Sequence, residues 1–140
     1  MAVTRVLIVE DEACIRGTLS ELFDVPVNET VAAATLGEAR QALADGGFDL
    51  IVTDLRLGDR RDGGLQVLGA SGLLSPDAPV IVLTAYPDAG NRLASERLGA
   101  TYFLEKPVDL HTIAALAEQH GIRTSFSGDP RRMEVERAGR

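Results

Sequence analysis

The chain has a single cysteine, Cys14, so it closes no internal disulfide and fits a reducing compartment. No apolar run approaches the roughly 20 residues that a bilayer-spanning helix needs. Met1-Ala2-Val3-Thr4 leads straight into a strand-like run, with no leader pattern. Positive charge is scarce: the formal net charge is -7 over 140 residues. Residues 1–122 hold 9 basic and 18 acidic side chains, whereas residues 123–140 hold 5 arginines and 3 acids. An acidic body does not neutralise a phosphate backbone, on which sequence-independent nucleic-acid binding depends. No internal repeat is visible. The expectation is one cytoplasmic domain that engages neither a membrane nor nucleic acid directly.

What the chain does have is four short apolar runs, each ending in polar chemistry. Val6-Leu7-Ile8-Val9 runs into Glu10-Asp11, and Leu50-Ile51-Val52-Thr53 into Asp54. Val80-Ile81-Val82-Leu83 runs into Thr84, and Tyr102-Phe103-Leu104-Glu105 into Lys106-Pro107. Runs of this length and composition suit strands buried on both faces of a parallel sheet. A further short strand is expected over 31–35. Helical spacing appears over 13–23, over 36–44 with Leu36, Ala39 and Leu43 on one face, and over 91–98. A fifth helix is capped by Asp109, with Leu110, Ile113, Leu116 and Ala117 inward and Gly121 as its stop. The third helix reads as the weak one. Gly63-Gly64 precedes it, and Gly69, Ser71 and Gly72 lie within it, so a short, bent or mobile element is expected. The alternation is (βα)5, an α/β three-layer sandwich of parallel strands with helices on both faces. Residues 1–122 form the domain, and residues 123–140 read as a polar, flexible tail.

In an open parallel sheet the carboxyl ends of the strands share one edge, where ligands bind. Glu10, Asp11 and Asp54 therefore meet there, and three clustered carboxylates call for a cation. Mg²⁺, a hard ion that takes oxygen ligands, is the natural one. Asp54 is placed to act as a nucleophile toward phosphorus, giving an acyl phosphate. Lys106 supplies fixed positive charge and Thr84 a hydroxyl donor for the phosphoryl oxygens. A cis Lys106-Pro107 bond would aim the lysine into the cleft.

On VLIVEDE (6–12), DLIVTDLRL (49–57), PVIVLTAY (79–86) and GATYFLEKPVD (99–109), the chain resembles the receiver domain of two-component response regulators, of the single-domain chemotaxis type. The resemblance covers residues 4–120. It implies a flavodoxin-like fold with sheet order 2-1-3-4-5. It implies that Asp54 accepts a phosphoryl group from a sensor histidine kinase or a histidine phosphotransfer protein, and that Thr84 and Lys106 contact that group. It implies that Asp11 binds Mg²⁺ directly, Glu10 through water, and the Arg56 backbone carbonyl as a further ligand. Phe103 takes the aromatic switch position coupled to Thr84, and Tyr102 faces the opposite side of the sheet. The implied output is a protein-binding surface of fourth helix, fifth strand and fifth helix, open to an effector protein or to a second copy.

The chain departs from the family pattern in Glu10, where Asp is commoner, in Gly58, where a proline is usual, and in the longer loop made by Asp59-Arg60-Arg61-Asp62. Arg56 and Tyr86 flank the acceptor and are expected either to obstruct an attacking water or to point to solvent. Cys14 is expected to be a packed or half-exposed thiol. No metal role is expected for His111 or His120. Residues 131–137 read as solvated or as a docking peptide.

Other readings remain. An aspartate-nucleophile phosphatase wants a second Asp two residues after the nucleophile, where Arg56 stands. A flavin or nucleotide binder wants a phosphate-cradling loop where Glu10-Asp11-Glu12 would repel phosphate. A receiver cut from a longer multidomain regulator would continue past the tail. Under the leading reading the chain is no enzyme beyond its own phosphorylation and dephosphorylation, and it carries no DNA-binding output domain.

Overall fold

The computed structural model describes residues 3–127. Strands and helices alternate strictly: β1 (Thr4–Val9), α1 (Ala13–Leu22), β2 (Asn28–Ala33), α2 (Leu36–Asp45), β3 (Leu50–Asp54), α3 (Gly63–Leu74), β4 (Val80–Thr84), α4 (Ala89–Arg97), β5 (Tyr102–Glu105) and α5 (Leu110–Gln119). All neighbouring strand pairs are parallel, in the order β2-β1-β3-β4-β5. The expected (βα)5 flavodoxin-like sandwich is the one observed. Among the described residues no helix is long and apolar enough to cross a membrane.

Successive side chains of a strand point to opposite faces, so each apolar run feeds two cores. Val6, Ile8, Leu50, Val52, Ile81 and Leu83 pack with Leu19, Leu22 and Phe23 from the α1 side and Ile113 and Ala117 of α5. Leu7, Val9, Ile51, Val80 and Val82 pack with Leu36, Ala39 and Leu43 of α2 and Val67 and Leu68 of α3. Every residue of β3 and β4 is buried. Each fully buried Val, Leu or Ile contributes roughly 1.5–3 kcal/mol, which makes these central strands the rigid base of the molecule. Phe103 packs on the α2–α3 side, whereas Tyr102 and Leu104 pack on the α1–α5 side, as their alternation requires.

The structure corrects three expectations. The second strand begins at Asn28, not Val31, and ends at Ala33. It is an edge strand, so polar Asn28, Glu29 and Thr30 pair with Thr4, Arg5 and Val6 without being buried in the core. Thr35 is the cap of α2 instead: its hydroxyl accepts from Glu38 N, and Glu38 Oε1 reaches back past the cap to accept from Ala34 N.

The third helix is not short. At 12 residues it is the longest described, and Gly63-Gly64 forms its first turn. A Cβ at Gly69 or Gly72 would meet nothing within 4 Å, so these glycines lie on the open face. Their cost of about 1 kcal/mol each is offset by the buried Val67 and Leu68.

Residues 123–127 do not stand off as a tail. Ser125 N donates to the Leu22 carbonyl at 2.7 Å, Asn28 Nδ2 donates to the Arg123 carbonyl at 2.8 Å, and Thr124 is buried. The remainder of the expected tail, from residue 128, lies outside the described residues.

Candidate functional site

Strand register assembles the site. Val9 sits beside Thr53, Asp54 beside Leu83, and Thr84 beside Glu105. The residues just past these positions therefore converge at the carboxyl edge of the sheet. Asp54 ends β3 with only 9% of its surface exposed, and Glu10, just beyond β1, is buried. Lys106 follows β5, and its peptide bond to Pro107 is cis, as expected. Its backbone N–H donates to the Thr84 carbonyl at 2.7 Å, which ties the β5 end to the β4 end.

Lys106 Nζ donates to Glu10 Oε1 and to Asp54 Oδ2, both at 2.8 Å. Lys106 is the only lysine in the chain; the other formally basic residues are arginines. That count alone could have marked it, because a compact ammonium point charge differs from a guanidinium fork. Among the described residues, the only ion pairs to these carboxylates come from Lys106.

Burial pushes the Glu10 carboxyl up, to about 7 from an ordinary 4.5. The hydrogen bond from Lys106 opposes that rise, and the Asp54 charge adds to it. Asp11 goes the other way. Its slight burial raises it, but hydrogen bonds from the Glu10 carboxyl and the Gly58 N–H outweigh this and hold it below its ordinary value. Burial favours neutral Lys106, but its bonds to Asp54 and Glu10 prevail and raise its pKa.

Carboxylate oxygens of Glu10, Asp11 and Asp54 lie within 4.8 Å of one another. A trio this close, with one ammonium as counter-charge, is suited to a hard divalent cation. Thr84 is fully buried, and its Oγ1 accepts from Tyr86 N at 2.8 Å, which leaves the hydroxyl proton to donate. Phe103 is half-buried, with the Arg92 guanidinium 4.8 Å from its ring centroid.

Arg56 is half-buried and Tyr86 is 47% exposed, and the two side chains meet. The Arg56 guanidinium lies over the Tyr86 ring at 3.9 Å, forming one stacked unit, and the Arg56 backbone N–H donates to Asp54 Oδ1 at 3.4 Å. Cys14 is exposed. His111 stacks on Phe126, and His120 hydrogen-bonds the Tyr102 hydroxyl.

Arg16, which sequence reasoning passed over, and Gly58 and Gly64, which it named without giving them a part in the site, shape the acidic loop and the strand end. Arg16 Nη1 donates to the carbonyls of Glu10 and Asp11 at 2.9 and 3.2 Å and so holds the acidic loop. Gly58, with φ of 59°, adopts the left-handed conformation that favours glycine, and its N–H donates to Asp11 Oδ2 at 3.0 Å. Gly64 brings the start of α3 against the end of β3, its N–H donating to the Leu55 carbonyl at 2.8 Å. The lengthened loop is closed by a mutual backbone pair between Leu57 and Arg60, at 3.0 Å in each direction.

Residues 6–118 match the family of response regulator receiver domains. The chain belongs to that family. It is 36% identical over 116 residues to the response regulator protein PilR of Pseudomonas aeruginosa, an alignment that covers 83% of this chain and 26% of PilR. The receiver thus spans about a quarter of that relative's length. Among solved structures, the CheY-like receiver domain protein of Methanospirillum hungatei superposes with a TM-score of 0.76 at 27% identity, covering 85% of this chain and 94% of that one. A Burkholderia pseudomallei response regulator, crystallised with a phosphorylated aspartic acid, a calcium ion and citrate, superposes with a TM-score of 0.73 at 26% identity. That match covers 97% of this chain and 72% of its counterpart. A receiver domain whose acidic cluster of Glu10, Asp11 and the buried Asp54 could hold a metal ion is the conclusion supported here.

Proposed function

We propose that this receiver is a Mg²⁺-dependent phosphorylation switch with Asp54 as acceptor. The observation that carries the reading is the Lys106 ammonium held 2.8 Å from both Asp54 Oδ2 and Glu10 Oε1. It joins a nucleophilic carboxylate, an acidic pair and a fixed positive charge in one cleft. An Asp54 carboxylate oxygen attacks phosphorus of a phosphohistidine on a histidine kinase or phosphotransfer protein. The O–P bond forms as the P–N bond breaks, and the imidazole leaves with its electron pair. Lys106 then trades its contact with Asp54 for the phosphoryl oxygens, and the Thr84 hydroxyl donates to them.

Asp11, Glu10, Asp54 and the Arg56 backbone carbonyl are the proposed Mg²⁺ holders, and the bound ion would neutralise charge on the transferring group. Drawing Thr84 toward Asp54 vacates space for the half-buried Phe103 to turn inward, which alters the face of α4, β5 and α5. That face exposes Leu93 and Leu98 and is the proposed docking surface for an effector protein or a second copy. The work is cytoplasmic signalling by protein contact, without turnover of an external substrate. At the position where an aspartate-nucleophile phosphatase needs an acid, Arg56 offers a guanidinium that does not give up its proton.

Intact mass after incubation with acetyl phosphate and Mg²⁺ tests the reading. One added phosphoryl group, absent in Asp54→Asn, is expected. No gain in the native chain would overturn it.

A further inference from the structure

Phe103 is held from two sides. Its ring packs against the core that α2 and α3 share and is covered only in part. Over the ring lies the Arg92 guanidinium of α4, 4.8 Å from the centroid. That is within the roughly 6 Å reach of a cation–π contact. Arg92 also meets Glu96, one turn along the same helix, at 4.0 Å. The helix that carries Arg92 is the most lightly seated of the five. Ser95 is its only buried residue, whereas α1, α2, α3 and α5 bury two or more each. Ser95 follows Arg92 by three positions, so the two share a side of α4. The Ser95 hydroxyl has no hydrogen-bond partner among the described residues, so it adds nothing to the seat. The stack on Phe103 thus joins β5 to a helix with little buried anchorage of its own.

We propose that Arg92 is a positioning residue that holds Phe103 in its outer seat and so sets the threshold of the switch. The proposal rests on the reading of Asp54 as acceptor and of Phe103 as the ring that turns inward when Thr84 is drawn away. Turning inward takes the ring out from under the guanidinium, so the cation–π contact belongs to the resting arrangement alone. A contact made in one of two states biases the equilibrium toward that state by its whole strength. For a partly exposed cation–π pair this is a bias of about two- to fivefold. By reciprocity, removing the contact tightens the binding of a phosphoryl group or its analogue by up to the same factor. The sign separates this role from plain electrostatics. Taking a positive charge from a chain of net charge -7 weakens its attraction for an anion, whereas loss of the latch strengthens the binding.

The test titrates beryllofluoride, a phosphoryl analogue, into the full-length chain with Mg²⁺ present, and fluorine NMR of the bound ligand gives the affinity. Arg92→Gln keeps most of the stem and removes the charge; it is expected to bind about threefold more tightly than the native chain. Arg92→Lys, still a cation, is expected to stay nearer the native value. In a Phe103→Leu background, Arg92→Gln is expected to change nothing, although it breaks the same pair with Glu96 there. Equal or weaker binding by Arg92→Gln alone would overturn the latch. So would the same gain in the Phe103→Leu background, because the arginine would then act without the ring. Both of these results leave the acceptor reading standing. A native chain that binds no beryllofluoride would bring down that reading and the latch together.

Discussion

Gly64 lies with its backbone against Asp54. A Cβ at that position would fall inside contact distance of the Asp54 carbonyl and 2.6 Å from Leu55 Cα. The first turn of α3 therefore helps to fix where β3 delivers its carboxylate. Gly64→Ala has to force the helix off the strand end. It is expected to cost about 1–3 kcal/mol in denaturant unfolding and to slow phosphoryl uptake. Gly69→Ala, on the open face of the same helix, is expected to stabilise by about 1 kcal/mol and leave uptake unchanged. If Gly64→Ala matched the native chain in both measurements, the close approach would have no bearing on the acceptor.

Lys106 is the only cation paired with Glu10 and Asp54 among the described residues. Lys106→Met keeps most of the stem's packing and removes the charge. Phosphorylation by acetyl phosphate is expected to slow by about a hundredfold, the usual scale for loss of one fixed charge-stabilising donor. Lys106→Arg is expected to rescue little, because a guanidinium does not reproduce a compact point charge between two carboxylates. A Lys106→Met rate within a few-fold of native, read by mass spectrometry over time, would remove the lysine from the chemistry.

Glu10 gives the metal-free protein a distinct pH dependence. Its folded-state pKa, about 7, lies above the ordinary 4.5, so the folded state holds the proton more tightly than the unfolded state does. The associated stability is fully present below pH 4.5 and is lost as pH rises to 7. The shifts at Asp11 and Lys106 act elsewhere. Asp11 is lowered, so its contribution is lost only as pH falls below the ordinary 3.8, and raised Lys106 loses its contribution only above the ordinary 10.5. Thermal unfolding without divalent ions should therefore show stability declining between about pH 4.5 and 7, and Glu10→Gln should flatten that slope. Because the cation needs the carboxylate, Mg²⁺ affinity should rise through the same window. A slope that persists in Glu10→Gln would assign it to another group.

The strand ends were legible in the sequence because the information is local: an apolar run of fixed length, then Asp54, Thr84 or Lys106. The pairing of those ends needed only the parallel alternation of strands and helices. What escaped was set by tertiary context. Asn28 to Thr30 carry no apolar signal because an edge strand need not bury them. The glycines of α3 read as weakness, but helix propensity says nothing about which face a glycine occupies or that Gly64 meets Asp54. The contacts of Gly58 with Asp11 and of Arg16 with the acidic loop join residues whose types are common in loops and helices. The 123–127 segment has no periodicity, and its order comes from single contacts such as Phe126 on His111.

Arg56 and Tyr86 form one stacked unit, with the guanidinium 3.9 Å from the ring centroid, and they belong to different loops. The two residues follow Asp54 and Thr84 by two positions each, so the pair is expected to hinder a water molecule approaching the acyl phosphate better than either residue alone. A cation–π contact of this exposed kind contributes about 0.5–1 kcal/mol. Arg56→Ala and Tyr86→Ala are each expected to speed autodephosphorylation several-fold. Because either change dissolves the stack, the double variant is expected to be no faster than the faster single one, rather than to show the product of the two effects. Release of inorganic phosphate from the purified phosphoprotein gives all four rates. Unchanged rates in both single variants would leave the stack without a part in lifetime control, and multiplicative rates would show that the two residues act separately.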